Sequence, residues 1–118
     1  MVDAAIVILA DTESHADRGR LVNGLETAKE VAETPGDDVE VIFDGAGTKW
    51  IPILEDPESD QHDLYESVRG DASACDYCTT AFGVDEGVDD AGVVRLDDHD
   101  GHPSIRSLVA DGYEVLTF

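Results

Sequence analysis

Basic residues are scarce in this sequence, and their scarcity excludes a large class of partners. Two lysines and five arginines stand against 28 aspartates and glutamates, so the 118-residue chain has a formal net charge of −21. Proteins bind nucleic acids and anionic lipids largely by replacing counterions with Lys and Arg side chains. With so few of these side chains, no nucleic acid and no membrane surface is expected as a partner.

Long apolar runs are missing as well. No stretch approaches the ~18 apolar residues that cross a bilayer. The first residues lack the basic segment followed by an apolar one that marks a secretory signal. The length suits one domain, which we expect to span residues 1–118. A single cytoplasmic domain is therefore predicted.

The excess of acidic residues has two interpretations. High net charge is typical of disordered chains, but 42% of the residues are hydrophobic and many fall in periodic runs. Adaptation to a salt-saturated cytoplasm explains the charge better, because molar salt shortens the screening length between charges to ~3 Å. We therefore expect a halophilic protein with an acidic, solvated surface.

Cysteine is also rare, and its two copies lie close together. Cys75 and Cys78 fall within DASACDYCTTAFGV, residues 71–84. Two cysteines in a small cytoplasmic protein indicate a redox, metal or sulfur site more often than a structural disulfide. Either sulfur is placed to cap a helix after a short strand, where unpaired N–H groups favour a thiolate. We expect a reachable, partly ionised thiol there, although free cysteine is also among the most buried residue types.

Five strand-like segments alternate with helical ones along the chain. AAIVILA is uninterrupted by polar residues, as in strands covered on both faces. The predicted strands are residues 4–10, 39–43, 71–74, 92–96 and 113–118. The first three predicted helices are residues 14–33, 48–54 and 62–68. A fourth carries Cys78 and ends at Gly83. The last is opened by His102, Pro103 and Ser104, and its inward-facing residues are expected to be Ile105, Leu108 and Val109. Residues 84–91 are expected to be an acidic connection without regular structure.

This alternation predicts an α/β domain, an open parallel sheet with helices on both faces. In such sheets, ligands bind at the edge formed by the carboxyl ends of the strands. That edge should present four segments of polar or reactive residues: Asp11 with Thr12, residues 44–47, Cys75, and the turn at 97–99. Separate parts of the chain are thus predicted to converge on one rim.

Several segments together resemble the DsrE/DsrF-like sulfur-relay family. They are GLETAKE, VEVIFDGAGTKW, ACDYCTTAFGV, GHPSIRSLVADG and the terminal EVLTF, in the order seen in small single-domain members. The resemblance implies a three-layer α/β/α sandwich with a five-stranded parallel sheet, assembled as a trimer or hexamer. It also implies that the protein holds sulfur as a cysteine persulfide and exchanges it with donor and acceptor proteins. The family's active cysteine lies eight residues before the glycine that ends its helix, here Gly83, so its counterpart is Cys75 and Cys78 assists.

The candidate residues around the cysteines are those of the predicted rim. Lys49 is placed to supply positive charge near a thiolate, and Trp50 and Tyr77 to line a pocket mouth or a subunit interface. His102 is either a proton donor or a helix-start residue. The full set of candidate binding residues is Asp11, Thr12, Asp44, Gly45, Gly47, Lys49, Trp50, Tyr77 and His102. For Asp44, Gly45 and Gly47, a tight turn is preferred over an anion cradle, because GAGTK lacks the full phosphate-loop spacing.

Three alternatives to a sulfur carrier stay open at this stage. A zinc site would combine the two cysteines with His62, His99 or His102, but these histidines lack finger-type spacing, so no metal and no cofactor is expected. A dithiol redox protein would close a disulfide between Cys75 and Cys78. A non-catalytic, oligomeric binding module of the same fold would only pack them.

Overall fold

One parallel sheet of five strands organises the protein. The computed structural model describes all residues, 1–118. The strands are β1 (Asp3–Ile8), β2 (Asp38–Phe43), β3 (Ala72–Cys75), β4 (Val94–Leu96) and β5 (Glu114–Thr117). They lie in the order β4-β3-β2-β1-β5, and every neighbouring pair is parallel. The predicted α/β class with a five-stranded parallel sheet is confirmed.

Six helices connect the strands. They are α1 (His15–Ala32), α2 (Trp50–Glu55), α3 (His62–Val68), α4 (Asp76–Ala81), α5 (Asp85–Ala91) and α6 (Ile105–Ala110), with 3-10 turns at Gly45–Lys49 and Arg69–Asp71. Helix α1 begins where the sequence predicts, because Ser14 Oγ accepts a hydrogen bond from the Asp17 backbone N–H at 3.1 Å. None of the helices is both long enough and apolar enough to span a bilayer.

The main core lies on one face of the sheet. Alternate residues of β1, namely Ala4, Ile6 and Ile8, pack against Leu21 and Leu25 of α1. Helices α2, α3 and α5 extend the same cluster, through residues such as Ile51, Leu54, Tyr65, Val68 and Val88. The intervening strand residues face the other way, and Ala5, Val7, Ile42 and Cys75 are buried there outside that cluster. Strand alternation therefore assigns Cys75 to the second face.

The predicted acidic connection is wrong, since residues 85–91 form helix α5. Its inner side is a short stripe in which Val88 is fully buried and Ala91 nearly so. Val84, Val88 and Ala91 have the spacing of one helical face, a signal masked by the four acids between them. The helix ends at Gly92, whose φ of 69° is the left-handed conformation that glycine favours at helix ends.

The last crossover is packed less tightly than predicted. Helix α6 begins at Ile105 after an N-cap at Ser104, so Pro103 lies before the cap and not at the first helical position. The predicted inner face of α6 is only partly covered: Ile105 and Leu108 are half-buried, whereas Val109 is 60% exposed. The connection from β4 to β5 runs across the sheet in the direction opposite to the earlier ones, so right-handed crossovers put α6 on the second face.

Candidate functional site

Cys75 lies at the point where β3 ends and α4 begins. It is the last residue of the strand and the N-cap of the helix, and its Sγ accepts a hydrogen bond from the Cys78 backbone N–H at 3.4 Å. Its carbonyl accepts a hydrogen bond from the buried Thr79 hydroxyl at 2.7 Å. Cys75 is thus fixed from both sides as the helix cap that the sequence predicts, and Cys78 lies one turn further along α4.

Asp44 comes to the same place from the end of β2. Its backbone N–H donates to the Ile8 carbonyl at 3.0 Å, and its side chain caps the Gly45–Lys49 turn by accepting from the Gly45 N–H at 2.8 Å. These two bonds hold the carboxylate at the carboxyl edge of the sheet. No lysine, arginine or histidine forms an ion pair with it.

His102 reaches the cysteines through a tight hairpin after β4. His99 and His102 exchange backbone hydrogen bonds of 2.8 and 2.7 Å, and Asp100 (φ 50°) and Gly101 (φ 84°) form the turn between them. Positive φ at both central residues is typical of a type I′ turn, for which Asp-Gly is a preferred pair. The Tyr77 N–H donates to the Gly101 carbonyl at 2.8 Å, which fixes the hairpin against the start of α4.

Asp44, Cys75, Cys78 and His102 form one cluster, hereafter the cysteine cluster. Each contributes one ligand-type atom, and the four atoms lie within 4.8 Å of one another. Within the cluster, the side chains of Cys75 and His102 are in contact, with Cys75 Sγ 3.3 Å from His102 Nδ1. The sequence placed His102 among the candidate residues at the rim but disfavoured a zinc site because the histidines lack finger-type spacing; the fold brings His102 to the cysteines although the spacing is irregular.

The two sulfurs differ in access. Cys75 is fully buried, whereas Cys78 is partly exposed. The Tyr77 ring lies over the His102 imidazole, with ring centroids 4.8 Å apart, and Tyr77 itself is 58% exposed. Neither cysteine lines the surface hollows of 160 to 560 Å³ that lie elsewhere on the protein. Of the two sulfur-bearing residues, Cys78 is the one with exposed surface.

The thiol of Cys75 is not the ionised group that its place at a helix start predicted. Burial raises the pKa of the Cys75 thiol to about 12, and the Asp44 carboxylate and the second thiol add to the increase. The hydrogen bond from the Cys78 N–H acts in the opposite direction but is outweighed. At neutral pH, Cys75 is a protonated thiol whose nearest partner is the His102 nitrogen.

Three predicted site residues belong to a separate group at the end of β1. The Lys49 ammonium binds Asp11 at 2.7 Å and Glu13 at 3.3 Å, so its charge is committed there and not to a thiolate. Trp50 is 5% exposed, and its indole N–H donates to the Ala10 and Asp11 carbonyls. It lines a surface hollow of about 560 Å³ that neither cysteine lines. We call Asp11, Glu13, Lys49 and Trp50 the lysine cluster. Thr12 lies beside it, with its N–H donating to the Asp11 carboxylate at 2.6 Å.

The glycines after β2 serve the turn, as the sequence analysis preferred. A Cβ on Gly47 would lie 2.0 Å from the Ile8 carbonyl oxygen, so only glycine fits beside β1. Gly45 has a φ of 54°, a conformation that side chains rarely adopt. Together they turn the chain so that the Asp44 carboxylate faces the cysteines and Lys49 faces Asp11.

The other histidines considered as zinc ligands lie elsewhere. His62 Nδ1 is bonded to the Leu54 carbonyl at 2.7 Å, and the His99 side chain is 72% exposed. The sequence placed Asp44 on the same rim as Cys75, but a turn was preferred for residues 44–47 and no contact between Asp44 and the sulfurs was predicted. The Asp-Gly pair at 100–101 was the unused signal that His102 folds back.

Comparisons with known proteins identify the fold but no activity. No protein-family model matches the chain, and no curated protein matches it either. The structure is similar to that of a conserved protein of unknown function from Bacteroides thetaiotaomicron, with a TM-score of 0.61 and 15% identity over 97% of this chain and 94% of that chain. At this identity the likeness shows the α/β sandwich fold alone. The resemblance to the DsrE/DsrF-like family stays a prediction.

Proposed function

We propose that this protein carries sulfane sulfur as a persulfide on Cys75, with Cys78 as the thiol through which sulfur enters and leaves. The observation that carries the proposal is the contact between a buried thiol and an imidazole. Cys75 Sγ lies 3.3 Å from His102 Nδ1, while Cys78 is one helical turn away and partly exposed. A thiol beside an imidazole is the arrangement that activates a sulfur nucleophile.

The access of the two sulfurs orders the steps. A donor persulfide reaches Cys78 first, because Cys75 has no exposed surface. The Cys78 thiolate attacks the terminal sulfur of the donor, the S–S bond of the donor breaks, and the donor leaves as a thiol after taking up a proton. No oxidant is required, since a neutral sulfur atom passes between two thiols.

The second step uses His102. The Cys75 thiol gives its proton to His102 Nδ1 and attacks the outer sulfur held on Cys78. A new S–S bond forms on Cys75, the S–S bond on Cys78 breaks, and the Cys78 thiolate receives the proton from the imidazolium. Delivery to an acceptor protein is the reverse sequence. Burial then protects the stored persulfide from other thiols.

The proposal extends to family, setting and assembly. The cysteine cluster supports a DsrE-like carrier that exchanges sulfur with donor and acceptor proteins. The net charge of −21 supports a salt-rich cytoplasm as its setting. Exposed apolar side chains on the last crossover support a homo-oligomer, trimer or hexamer. Val109 of α6 is 60% exposed, Leu116 of β5 is 42% exposed and Val94 of β4 is 63% exposed.

Mass spectrometry after incubation with inorganic polysulfide tests the proposal. The wild type should gain about 32 Da, one sulfur atom, on the peptide containing Cys75. Cys78→Ser should slow loading of Cys75 by roughly tenfold or more, because the accessible relay thiol is lost. Cys75→Ser should accumulate the adduct on Cys78 instead.

Two controls separate this outcome from surface chemistry. His102→Ala should slow the second step, whereas His99→Ala removes an exposed histidine of the same hairpin and should leave loading unchanged. A wild type without the adduct, or an equal adduct on Cys75→Ser/Cys78→Ser, would count against sulfur transfer. A Cys75–Cys78 disulfide as the sole product would favour the dithiol redox alternative.

A further inference from the structure

We infer that the cysteine cluster is also a binding site for Zn²⁺, with Asp44, Cys75, Cys78 and His102 as its four ligands. The inference does not depend on sulfur transfer, because it concerns what the four side chains coordinate and not what the thiols react with. It rests on the donor atoms, their separations and the way the fold holds them.

The donor set matches zinc. Two thiolates, one imidazole nitrogen and one carboxylate oxygen are the three ligand types that Zn²⁺ takes, and four is its usual number in closed sites. Calcium and magnesium prefer oxygen ligands alone, so the sulfurs and the imidazole select against them. The ligands come from the ends of β2 and β3, from α4 and from the hairpin after β4.

The separations are close to those of a tetrahedral site. Ligands at 2.0–2.3 Å from Zn²⁺ lie about 3.3–3.8 Å from one another by tetrahedral geometry. Cys75 Sγ and His102 Nδ1 are already 3.3 Å apart, and no pair of the four atoms exceeds 4.8 Å. Side-chain adjustments of about 1 Å would complete the shell, without movement of a strand.

Hydrogen bonds fix the chain around three of the four ligands, Asp44, Cys75 and His102. Asp44 uses one carboxylate oxygen to cap the Gly45 N–H, and its second oxygen remains for a metal. Cys75 is held by the Thr79 hydroxyl through its carbonyl. His102 is held by its two backbone bonds to His99, with the Tyr77 ring against its imidazole. Such support around the ligands is typical of metal sites.

The charges of the cluster are unbalanced without a cation. Asp44 faces both thiols, and no basic side chain joins them. Lys49 is bound to Asp11 and Glu13, and Arg95 is bound to Asp76, Asp85 and Asp89. Binding of Zn²⁺ would displace one proton from each thiol and leave the four-ligand complex with a net charge of −1. Bound zinc would occupy both sulfurs and so exclude sulfur loading.

Titration of metal-free protein with Co²⁺, in a chelator-free buffer without any sulfur donor, tests the inference. Cobalt bound by thiolates absorbs in the near ultraviolet through sulfur-to-metal charge transfer, and tetrahedral cobalt has intense visible bands. We expect both features, saturating at one Co²⁺ per chain and abolished by one equivalent of Zn²⁺. The spectroscopic readout is necessary because the 28 acidic residues bind cations weakly without producing thiolate bands.

Matched variants identify the ligands. Asp44→Asn keeps an oxygen for the Gly45 cap but loses the charge. Asp44→Asn and His102→Ala, as separate variants, should each weaken Zn²⁺ binding by at least about tenfold. His99→Ala should bind like the wild type, and Cys75→Ser/Cys78→Ser should lose the charge-transfer band. Absence of the band in the wild type, or unchanged affinity in both Asp44→Asn and His102→Ala, overturns the inference. Polysulfide loading measured with a chelator present can succeed or fail independently.

Discussion

The carboxyl edge of the sheet carries two clusters that each contain an aspartate but surround it with different partners. In the lysine cluster, Asp11 is paired with an ammonium at 2.7 Å, and Lys49 holds its pKa below the ordinary value. In the cysteine cluster, Asp44 faces two thiols without a cation, and the pKa of Cys75 rises to about 12. Asp11 and Lys49 join two chain segments through an ion pair, whereas Asp44 lies among thiols without a lysine or arginine partner.

The two clusters also differ in how they bury polar groups. Trp50 buries its ring in the lysine cluster and satisfies its N–H with two carbonyls, so this end contributes to stability. Cys75 is buried as a small polar group next to a base, an arrangement that adds little to packing. We expect substitutions to change stability at the lysine cluster and chemistry at the cysteine cluster, and five measurements test this contrast.

The largest expected effect is on the reactivity of Cys75. Raising the pKa of the thiol from 9.0 to about 12 lowers its thiolate fraction at pH 8 by about a thousandfold. In Cys78→Ala, burial still raises the pKa of the Cys75 thiol, so its alkylation by iodoacetamide should be slower by roughly 100- to 1000-fold in folded than in denatured protein. Equal rates would show that Cys75 is open and ionised.

The same shift predicts how stability depends on pH. Between pH 9 and about pH 12 the unfolded chain releases the Cys75 proton before the folded chain does, so the free energy of unfolding falls as pH rises. Below pH 9 the thiol is protonated in both states, and this contribution is constant. Cys75→Ala should remove this part of the decrease in the free energy of unfolding between pH 9 and about pH 12. The tyrosines titrate in both proteins, so their contribution cancels in the comparison.

The second effect is on stability at the lysine cluster. Trp50→Ala should lower the free energy of unfolding by about 3–5 kcal/mol, because the buried ring is lost and two backbone carbonyls lose their hydrogen-bond donor. His102→Ala at the cysteine cluster should cost about 1 kcal/mol or less, because its side chain is only partly buried. Urea unfolding of the two variants measures the contrast, which disappears if both lose the same amount.

The third effect concerns the turn that joins the clusters. Gly47→Ala puts a Cβ 2.0 Å from a backbone oxygen of β1, and we expect destabilisation of roughly 1–3 kcal/mol. Gly70→Ala is the matched control in another 3-10 turn, since nothing lies within 4 Å of its added Cβ. Thermal unfolding should separate the two substitutions, and similar melting temperatures would contradict the close approach.

The smallest effect belongs to the ion pair itself. Lys49→Gln should lower the melting temperature only slightly at pH 7, because the pair is exposed and salt screens it. The lowered pKa of Asp11 means that the pair stabilises the protein above pH 3.8 and that this stabilisation is lost as pH falls further. Melting curves of both proteins should converge in acid and in molar salt, and a constant difference would indicate another role for Lys49.

Local patterns were sufficient for much of the fold and for part of the site. The apolar run of β1, the Ser14 cap of α1 and the strand-to-helix position of Cys75 each follow from neighbouring residues. Helix α5 was missed because its apolar stripe is short and most of its residues are acidic or small. The exposure of α6 was missed because spacing shows which residues share a face and not whether another layer covers it.

The sequence by itself determined an α/β domain and a pair of cysteines at a strand end, because periodicity and capping depend on residues a few positions apart. The tertiary structure alone decided that β2 and β4 flank β3, which brings Asp44 and His102 to those cysteines. It also decided that Cys75 is buried and protonated, because the pKa of a thiol depends on groups that are distant in the chain.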